Sequence, residues 1–305
     1  MESSQNQNKL APICLFTYNR LSETQQTVEA LKKNYLAPES ELFIFSDGPK
    51  DNSGAQKVNE VRKYLKTIDG FKTITIYESQ KNKGLANSII SGVTQIIEQY
   101  GKIIVLEDDL ITSSNFLDYM NQALDFYENH PNIHSVSGYT LDLPYLREYS
   151  KDYYFGYRAS SLGWGSWLSK WVDIDWNVSD YKIFRHSFKA KYAFFKIGSD
   201  MPRMLKRQQE GKIDSWAIRW GYHQFKKGYF TVFASKSKVN HIGISNDATH
   251  AVGAKKFDTP LDSGIKQNFH FSNEIQINRK LIRQFKNKFS LIKRALDKIK
   301  RITTQ

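Results

Sequence analysis

Between residues 11 and 109 the chain alternates short apolar runs with helix-period segments, and this constrains its fold more than any other feature. The runs are 11–16, 41–46, 72–77 and 102–106, each of strand length and most rich in β-branched or aromatic residues. Between them lie a segment opened by Ser22-Glu-Thr-Gln25, a second near 54–68 with Val58, Val61, Leu65 and Ile68, and a third over 85–100. The first has the spacing of a capping box for a helix running to about Tyr35. Strands that alternate with helices in this way predict an α/β fold, a mostly parallel sheet flanked by helices.

The fourth run ends abruptly in Glu107-Asp108-Asp109. Three adjacent carboxylates at a buried strand end are costly unless something pairs with them. In open α/β sheets ligands bind just beyond the carboxyl ends of the strands. Acids placed there suit a hard divalent cation, and such a cation can grip a diphosphate. An acidic turn leading into a helix near Ser113 is the plainer alternative. Two other strand ends are also polar: Thr17-Tyr18-Asn19-Arg20 after the first run, and Asp47-Gly48-Pro49 after the second. Arg20 could face phosphate, and Asp47 could accept a hydrogen bond from a base or ribose.

The motifs Phe16-Thr17-Tyr18-Asn19-Arg20, Ser46-Asp47-Gly48, Asn82-Lys83-Gly84-Leu85-Ala86-Asn87 and Glu107-Asp108-Asp109 follow the order seen in GT-A glycosyltransferases. The sequence most resembles bacterial inverting transferases and the N-acetylglucosaminyltransferase I family, over about residues 11–140. The resemblance implies that the acidic triplet is the metal-binding element, although its first acid is Glu107 where a strict DXD motif has Asp. It implies that Asp109 touches Mn²⁺ or Mg²⁺ and that Glu107 and Asp108 face ribose or donor sugar. Thr17, Asn19, Arg20, Asp47 and Lys83 complete the candidate nucleotide-sugar set.

All six tryptophans fall between 164 and 220. Trp164, Trp167 and Trp171, like Trp216 and Trp220, have the spacing of helix stripes. Trp167, Trp171 and Trp220 are best read as core. Sugars also pack on aromatic faces, and glycines on both sides of Trp164 suggest a backbone held close to a ligand. Ser161-Leu162-Gly163-Trp164-Gly165 resembles the Gly-Leu-Gly-Trp loop of the N-acetylglucosaminyltransferase I family, which makes Gly163, Trp164 and Trp216 candidates for sugar or acceptor contact. Asp214-Ser215-Trp216 opens a helical stretch after Gly211. Asp214 is there either a helix N-cap or, as the likeness to the family's Asp-Asp-Trp implies, the general base of transfer. In the loop 240–250 His241 and His250 are both possible second metal ligands, and the Thr-His ending seen in similar transferases favours His250.

Residues 279–305 hold ten Lys or Arg and one acid, so the tail carries +9 of the chain's net +13. Leu281, Phe285, Phe289, Ile292, Leu296 and Ile299 form one apolar stripe on a helix over about 279–302. A basic amphipathic helix of this kind suits an anionic membrane surface, and packing on the body is the alternative. The expected organisation is a disordered 1–10, a nucleotide-sugar half over 11–140, an acceptor half of the same domain over 141–278, and the basic helix 279–305. No secretory leader is evident and no apolar run approaches the roughly 18 residues of a spanning helix. The lone Cys14 lies in an apolar run and reads as core.

The sequence thus points to a metal-dependent glycosyltransferase that moves a sugar from a nucleoside-diphosphate donor, most simply a UDP-sugar, to a glycan or lipid-linked glycan hydroxyl. It would serve bacterial surface polysaccharide or glycoconjugate synthesis at the cytoplasmic face of the membrane. A sugar nucleotidyltransferase would need a glycine-rich loop after the first strand, where this chain has Thr17-Tyr18-Asn19-Arg20. A nucleic-acid-binding module would spread its charge over the sheet, and here the charge sits in the tail, so nucleic acid is not expected as a partner.

Overall fold

The structure, a computed structural model, describes residues 9–242 and 257–291. In chain order the N-terminal half forms β1 (Ile13–Thr17), α1 (Leu21–Lys32), β2 (Glu41–Ser46), α2 (Asn52–Leu65), β3 (Thr73–Glu78), α3 (Leu85–Tyr100), β4 (Lys102–Glu107), β5 (Leu110–Thr112), α4 (Phe116–Tyr127) and β6 (Ile133–Ser137). The rest forms β7 (Tyr153–Gly156), β8 (Trp164–Trp167), α5 (Leu168–Trp171), α6 (Tyr181–His186), α7 (Phe188–Ile197), α8 (Met201–Gln209), α9 (Trp216–Lys227), β9 (Phe230–Ala234), β10 (Val239–His241) and α10 (Arg279–Lys288).

Eight strands make one sheet in the order β3-β2-β1-β4-β8-β6-β9-β7. The β3-β2-β1-β4 block is parallel, β8 enters antiparallel between β4 and β6, β9 runs parallel to β6, and β7 closes the far edge antiparallel. The sheet is therefore mostly parallel. The inner strands are buried on both faces. Ile13 and Leu15 of β1 join Ile104 and Leu106 of β4 under α1, α2 and α4. Cys14, Phe16, Ile103 and Val105 face the opposite way, under α3 and α9. Period-two alternation with both faces apolar is why these runs read as continuous hydrophobic stretches. Cys14 is fully buried, and burial pushes its thiol well above the ordinary range. A small antiparallel ribbon, β5 with β10, sits beside the end of β4.

Three sequence expectations change. The Ser22–Gln25 capping box does not form: α1 starts at Leu21, Arg20 is its N-cap without a side-chain cap, and Thr24 N–H donates to Arg20 O at 3.0 Å. Trp164 and Trp167 are not on a helix. They lie on strand β8, so their side chains point to opposite faces: Trp164 into the α3/α9 layer, Trp167 into the other.

The third change concerns the tail. The described members of its apolar stripe, Leu281, Phe285 and Phe289, are buried in the main core. Phe285 meets Phe233 of β9, Phe289 lies under the Arg158 guanidinium at 3.9 Å, and Ser199 Oγ donates to Phe289 O. The first turns of the basic helix are thus a core element, because the apolar side chains have a sheet edge to cover. Residues 1–8, the loop segment containing His250, and the tail residues Ile292, Leu296 and Ile299 lie outside the described residues. Among the described residues no helix is long and apolar enough to cross a membrane.

Candidate active site

The carboxyl ends of β1, β2 and β4 lie side by side, because β1 pairs with both β2 and β4. Phe16 is in register with Glu107, so the polar residues after β1 fall beside the acidic triplet. Arg20 is drawn into that triplet. Its Nη2 donates a short hydrogen bond to Asp108 and lies 2.9 Å from Asp109 Oδ2. The Tyr18 backbone N–H donates to Asp108 Oδ2 at 3.2 Å. From the other side the β5–β10 ribbon, which pairs His241 with Leu110, brings His241 Nε2 to 3.3 Å from Asp109 Oδ2.

The three acids respond differently to this setting. Burial raises Glu107 strongly, and the neighbouring Asp109 and Asp108 add to it. Burial also carries Asp108 up to about 6 against the pull of Arg20. Asp109 ends below the usual carboxylate range: burial pushes it up, but the His241 hydrogen bond and the Arg20 charge prevail. Arg20 is desolvated, yet the two aspartates hold its charge more firmly than in water. Asp109 is the fixed negative pole of the cluster.

Asp47 has a different task from the one its sequence suggests. Its carboxylate accepts from Gly48 N and Lys83 N, both at 2.9 Å, from Gly84 N at 3.0 Å and from Asn82 Nδ2 at 3.2 Å. These four bonds use its acceptor capacity, so it is the post that holds the 82–84 loop, not a free acceptor for a base or ribose. Gly48 is required there, since a Cβ would come within 2.5 Å of the Lys81 carbonyl carbon. Gly84 turns the chain into α3 at φ +74°. Beside this loop a cavity of about 390 Å³ opens between the ends of β2 and β3 and the first half of α3, lined by Asp47, Lys83, Ser88 and the stacked Phe45 and Tyr77 rings. The Ser88 hydroxyl is buried there without a partner. At the end of β1 Thr17 is likewise buried with an unpartnered hydroxyl, and Asn19 is half-buried.

The second half contributes less directly. Trp164 and Trp216 are almost fully buried, and their rings pack with Trp220 at 4.4 and 5.4 Å. Neither offers a face to a sugar; both stabilise the layer between α3, β8 and α9. Gly163 is held at φ +55°, and a Cβ there would meet Val239 of β10 at 2.6 Å. The close approach that the glycine permits is to the ribbon carrying His241, not to a ligand. Asp214 is not the helix cap: Ser215 caps α9 and accepts from Ile218 N at 3.4 Å. The Asp214 carboxylate is 56% exposed and pairs with Arg219 at 3.0 Å; among the described residues it shares no hydrogen bond or ion pair with the acidic triplet.

The sequence pattern of glycosyl transferase family 2 matches residues 13–166, just over half of the chain. The chain belongs to that family. The matched stretch contains every strand end that builds the acidic cluster except β10. Similar solved structures include the mannosyltransferase PcManGT from Pyrobaculum calidifontis in complex with GDP-Man and Mn2+, 10% identical over 52% of this chain and 45% of that one, TM-score 0.37. TarS of S. aureus is 15% identical over 41% of this chain and 21% of its own, TM-score 0.30. The galactosyltransferase LgtC, in complex with donor and acceptor sugar analogs, is 13% identical over 80% and 93%, TM-score 0.38. The chain spans less than half the length of the first two. No curated protein sequence matches it.

Two organising residues of this family 2 member escape a reading of motifs. Arg62 of α2 donates to the carbonyls of Ser46, Asp47 and Ser79, at 3.4, 3.3 and 2.6 Å, and so ties the ends of β2 and β3 together. Its position next to the Val58–Val61–Leu65 stripe is the only signal the sequence offers. Tyr18 steadies Asp108 through its backbone, and its hydroxyl accepts from Lys50 N at 3.2 Å; a backbone donor leaves no mark in composition.

Proposed function

We propose that this glycosyltransferase uses a divalent cation to transfer a sugar from a nucleoside-diphosphate donor, a UDP-sugar, to a glycan hydroxyl with inversion. The observation that carries the reading is the meeting of Arg20, Asp108, Asp109 and His241 beyond the ends of β1 and β4. The residues fit Mn²⁺ or Mg²⁺. Among the described residues no three ligating side chains converge, but Asp109 Oδ2 and His241 Nε2, 3.3 Å apart, offer one oxygen and one nitrogen side by side, and ions of this class take their remaining ligands from substrate phosphates and water. His250, outside the described residues, stays a candidate for a further ligand. When bound, the cation would neutralise charge on the leaving diphosphate.

The protein's own groups do the rest. Arg20 brings a permanent charge to the phosphates, and Glu107 and Asp108 face the ribose or sugar. The cavity beside Asp47 and Lys83 has the size and the flat aromatic wall of a base seat. Asp214 takes the proton of the acceptor hydroxyl as its oxygen attacks the anomeric carbon and the bond to the diphosphate breaks, and this single displacement inverts the centre. The acceptor is a glycan or lipid-linked glycan of bacterial surface polysaccharide synthesis, and the enzyme works at the inner face of the cell membrane.

Calorimetric titration with UDP and Mn²⁺ tests the donor side. Asp109→Ala abolishes metal-dependent UDP binding with the fold intact; unchanged affinity refutes the metal role. Asp214→Asn keeps UDP binding and loses about 10²–10⁴-fold in transfer. A variant as fast as the wild type at saturating substrate removes Asp214 from the mechanism. A screen of nucleotide-sugars for metal-dependent hydrolysis identifies the donor.

A further inference from the structure

The layer of α6, α7 and α8 carries a surface that the glycosyltransferase site does not use. Phe188, Tyr192 and Phe195 recur at i, i+4 and i+7 on α7, and they are 79%, 53% and 36% exposed. Ile183 of α6 is 76% exposed. The opposite side of the same pair is ordinary core: Phe184 and Phe194 are buried against Tyr222 of α9 at ring distances of 5.1 and 5.6 Å. Helix α7 is thus apolar on two faces, and only one has a partner among the described residues. Its geometry is fixed without the outer face, since Ser187 caps it and accepts from Ala190 N at 3.1 Å.

The charges around the outer face decide what can cover it. Lys182, Arg185, Lys189 and Lys196 are exposed beside it, Lys191 is half-buried, and residues 181–199 contain no Asp or Glu. Lys196 Nζ lies 4.8 Å over the Tyr192 ring, and the Phe188 and Tyr192 rings stand parallel 6.2 Å apart, so the cations and the rings form one mixed patch. A second copy of the chain meeting it by a two-fold axis would set these cations against themselves. Residues 292–305 carry five Lys or Arg and one acid, so their charge does not complement it either. A surface of phosphate headgroups over acyl chains meets both requirements: it takes the apolar rings and pairs with the ammonium groups.

We infer that the outer face of α6 and α7 is a docking surface for an anionic lipid bilayer. Phe188, Tyr192, Phe195 and Ile183 enter the headgroup boundary, and the surrounding Lys and Arg engage lipid phosphates. Because α8 and α9 pack on this pair, and α9 begins just after Asp214, the contact holds the second half of the enzyme at the membrane surface. It shares with the proposed function only the membrane location, and UDP binding and vesicle binding report on the two separately.

The test is sedimentation of the full chain with phosphatidylcholine vesicles made with and without phosphatidylglycerol. The wild type binds the anionic vesicles, and its partition coefficient falls about ten-fold or more in Phe188→Ser/Tyr192→Ser and in Lys189→Glu/Lys196→Glu. UDP binding in Mn²⁺ is unchanged in both, which shows that they fold. A wild type that ignores anionic vesicles, or double variants that sediment like it, overturn the inference; so does a wild-type dimer that these variants dissociate, which makes the surface a protein interface. Cys14 is the only cysteine and is fully buried, so Phe188→Cys supplies a single reactive thiol for an environment-sensitive dye. Its emission shifts to the blue on anionic vesicles, and emission unmoved by them overturns the inference independently of sedimentation.

Discussion

Helices α7 and α10 are alike in sequence and opposite in use. Each is ten residues long, rich in Lys or Arg and free of acids, with an apolar stripe at helical spacing. In α10 the stripe of Leu281 and Phe285, extended by Phe289, is buried on the sheet edge and the charges point outward. In α7 Phe194 is buried while Phe188 and Tyr192 stand in solvent. The periodicity of a basic amphipathic helix therefore says that one face seeks an apolar partner. It does not say whether the partner is the same chain or something outside it.

The comparison breaks most sharply on side-chain deletion. Phe285→Ala removes a ring packed on Phe233 and Phe289 and is expected to cost about 3–5 kcal/mol in denaturant unfolding. A cost below that of an exposed site would mean that α10 is only loosely attached, and would return its stripe to a membrane role.

Next in size is an acid effect beneath α7. His134 of β6 is fully buried with both ring nitrogens unpartnered, and it packs against Trp220 and His223 of α9, the helix on which α7 rests. Burial, then His223 and Lys170, holds His134 well below its ordinary range. Burial and then Lys227 bring His223 to about 4. Both rings are neutral in the folded protein near pH 7, whereas in the unfolded chain they protonate near 6.5. From about pH 6.5 downward the unfolded chain binds more protons, so stability falls with pH by about 1.4 kcal/mol per unit for each ring. The share of His223 ends near pH 4. Urea midpoints across this range check the slope, and His134→Leu lowers it by about 1.4 kcal/mol per pH unit, the share of one ring. An unaltered slope in that variant assigns the acid sensitivity elsewhere.

The third effect tests how α10 is fastened. Arg158 makes two bonds of 2.8 Å to Asp200 and lies over the Phe289 ring. Arg158→Met removes both charge-assisted bonds and is expected to cost about 1.5–3 kcal/mol. Hydrogen exchange should rise at the end of α10 and stay level in α7. The smallest effect belongs to the exposed stripe itself: Phe188→Ser changes unfolding stability by less than about 0.5 kcal/mol. A larger loss would show that the outer face of α7 is structural and would remove the contrast with α10.

The two halves of the molecule also differ in how far they can be read from sequence. In the N-terminal half the expected runs 41–46 and 85–100 coincide with β2 and α3, and 102–106 falls within β4. Local patterning suffices there because each strand is buried on both faces and each helix covers it directly. The second half misled through spacing. Trp164, Trp167 and Trp171 fit a helix by count, but β8 is threaded between β4 and β6, and a strand and a helix can place apolar residues at the same few positions. Asp214 and Ser215 are adjacent and both able to cap; only the chain's path shows that Ser215 does so.

The sequence by itself determined the alternating α/β architecture, the polar strand ends and the acidic triplet, because hydrophobic period and turn chemistry act within a few residues. Only the tertiary structure decided which polar groups meet. The antiparallel ribbon of β5 and β10 brings His241 to Asp109 across more than a hundred residues, and the pairing of β1 with β4 sets Arg20 between Asp108 and Asp109. It also decided that Asp47 fastens a loop, that Trp164 and Trp216 are core, and that α7 leaves exposed the kind of stripe that α10 buries. Each depends on long-range register and on which apolar face finds a partner first, and no local pattern encodes either.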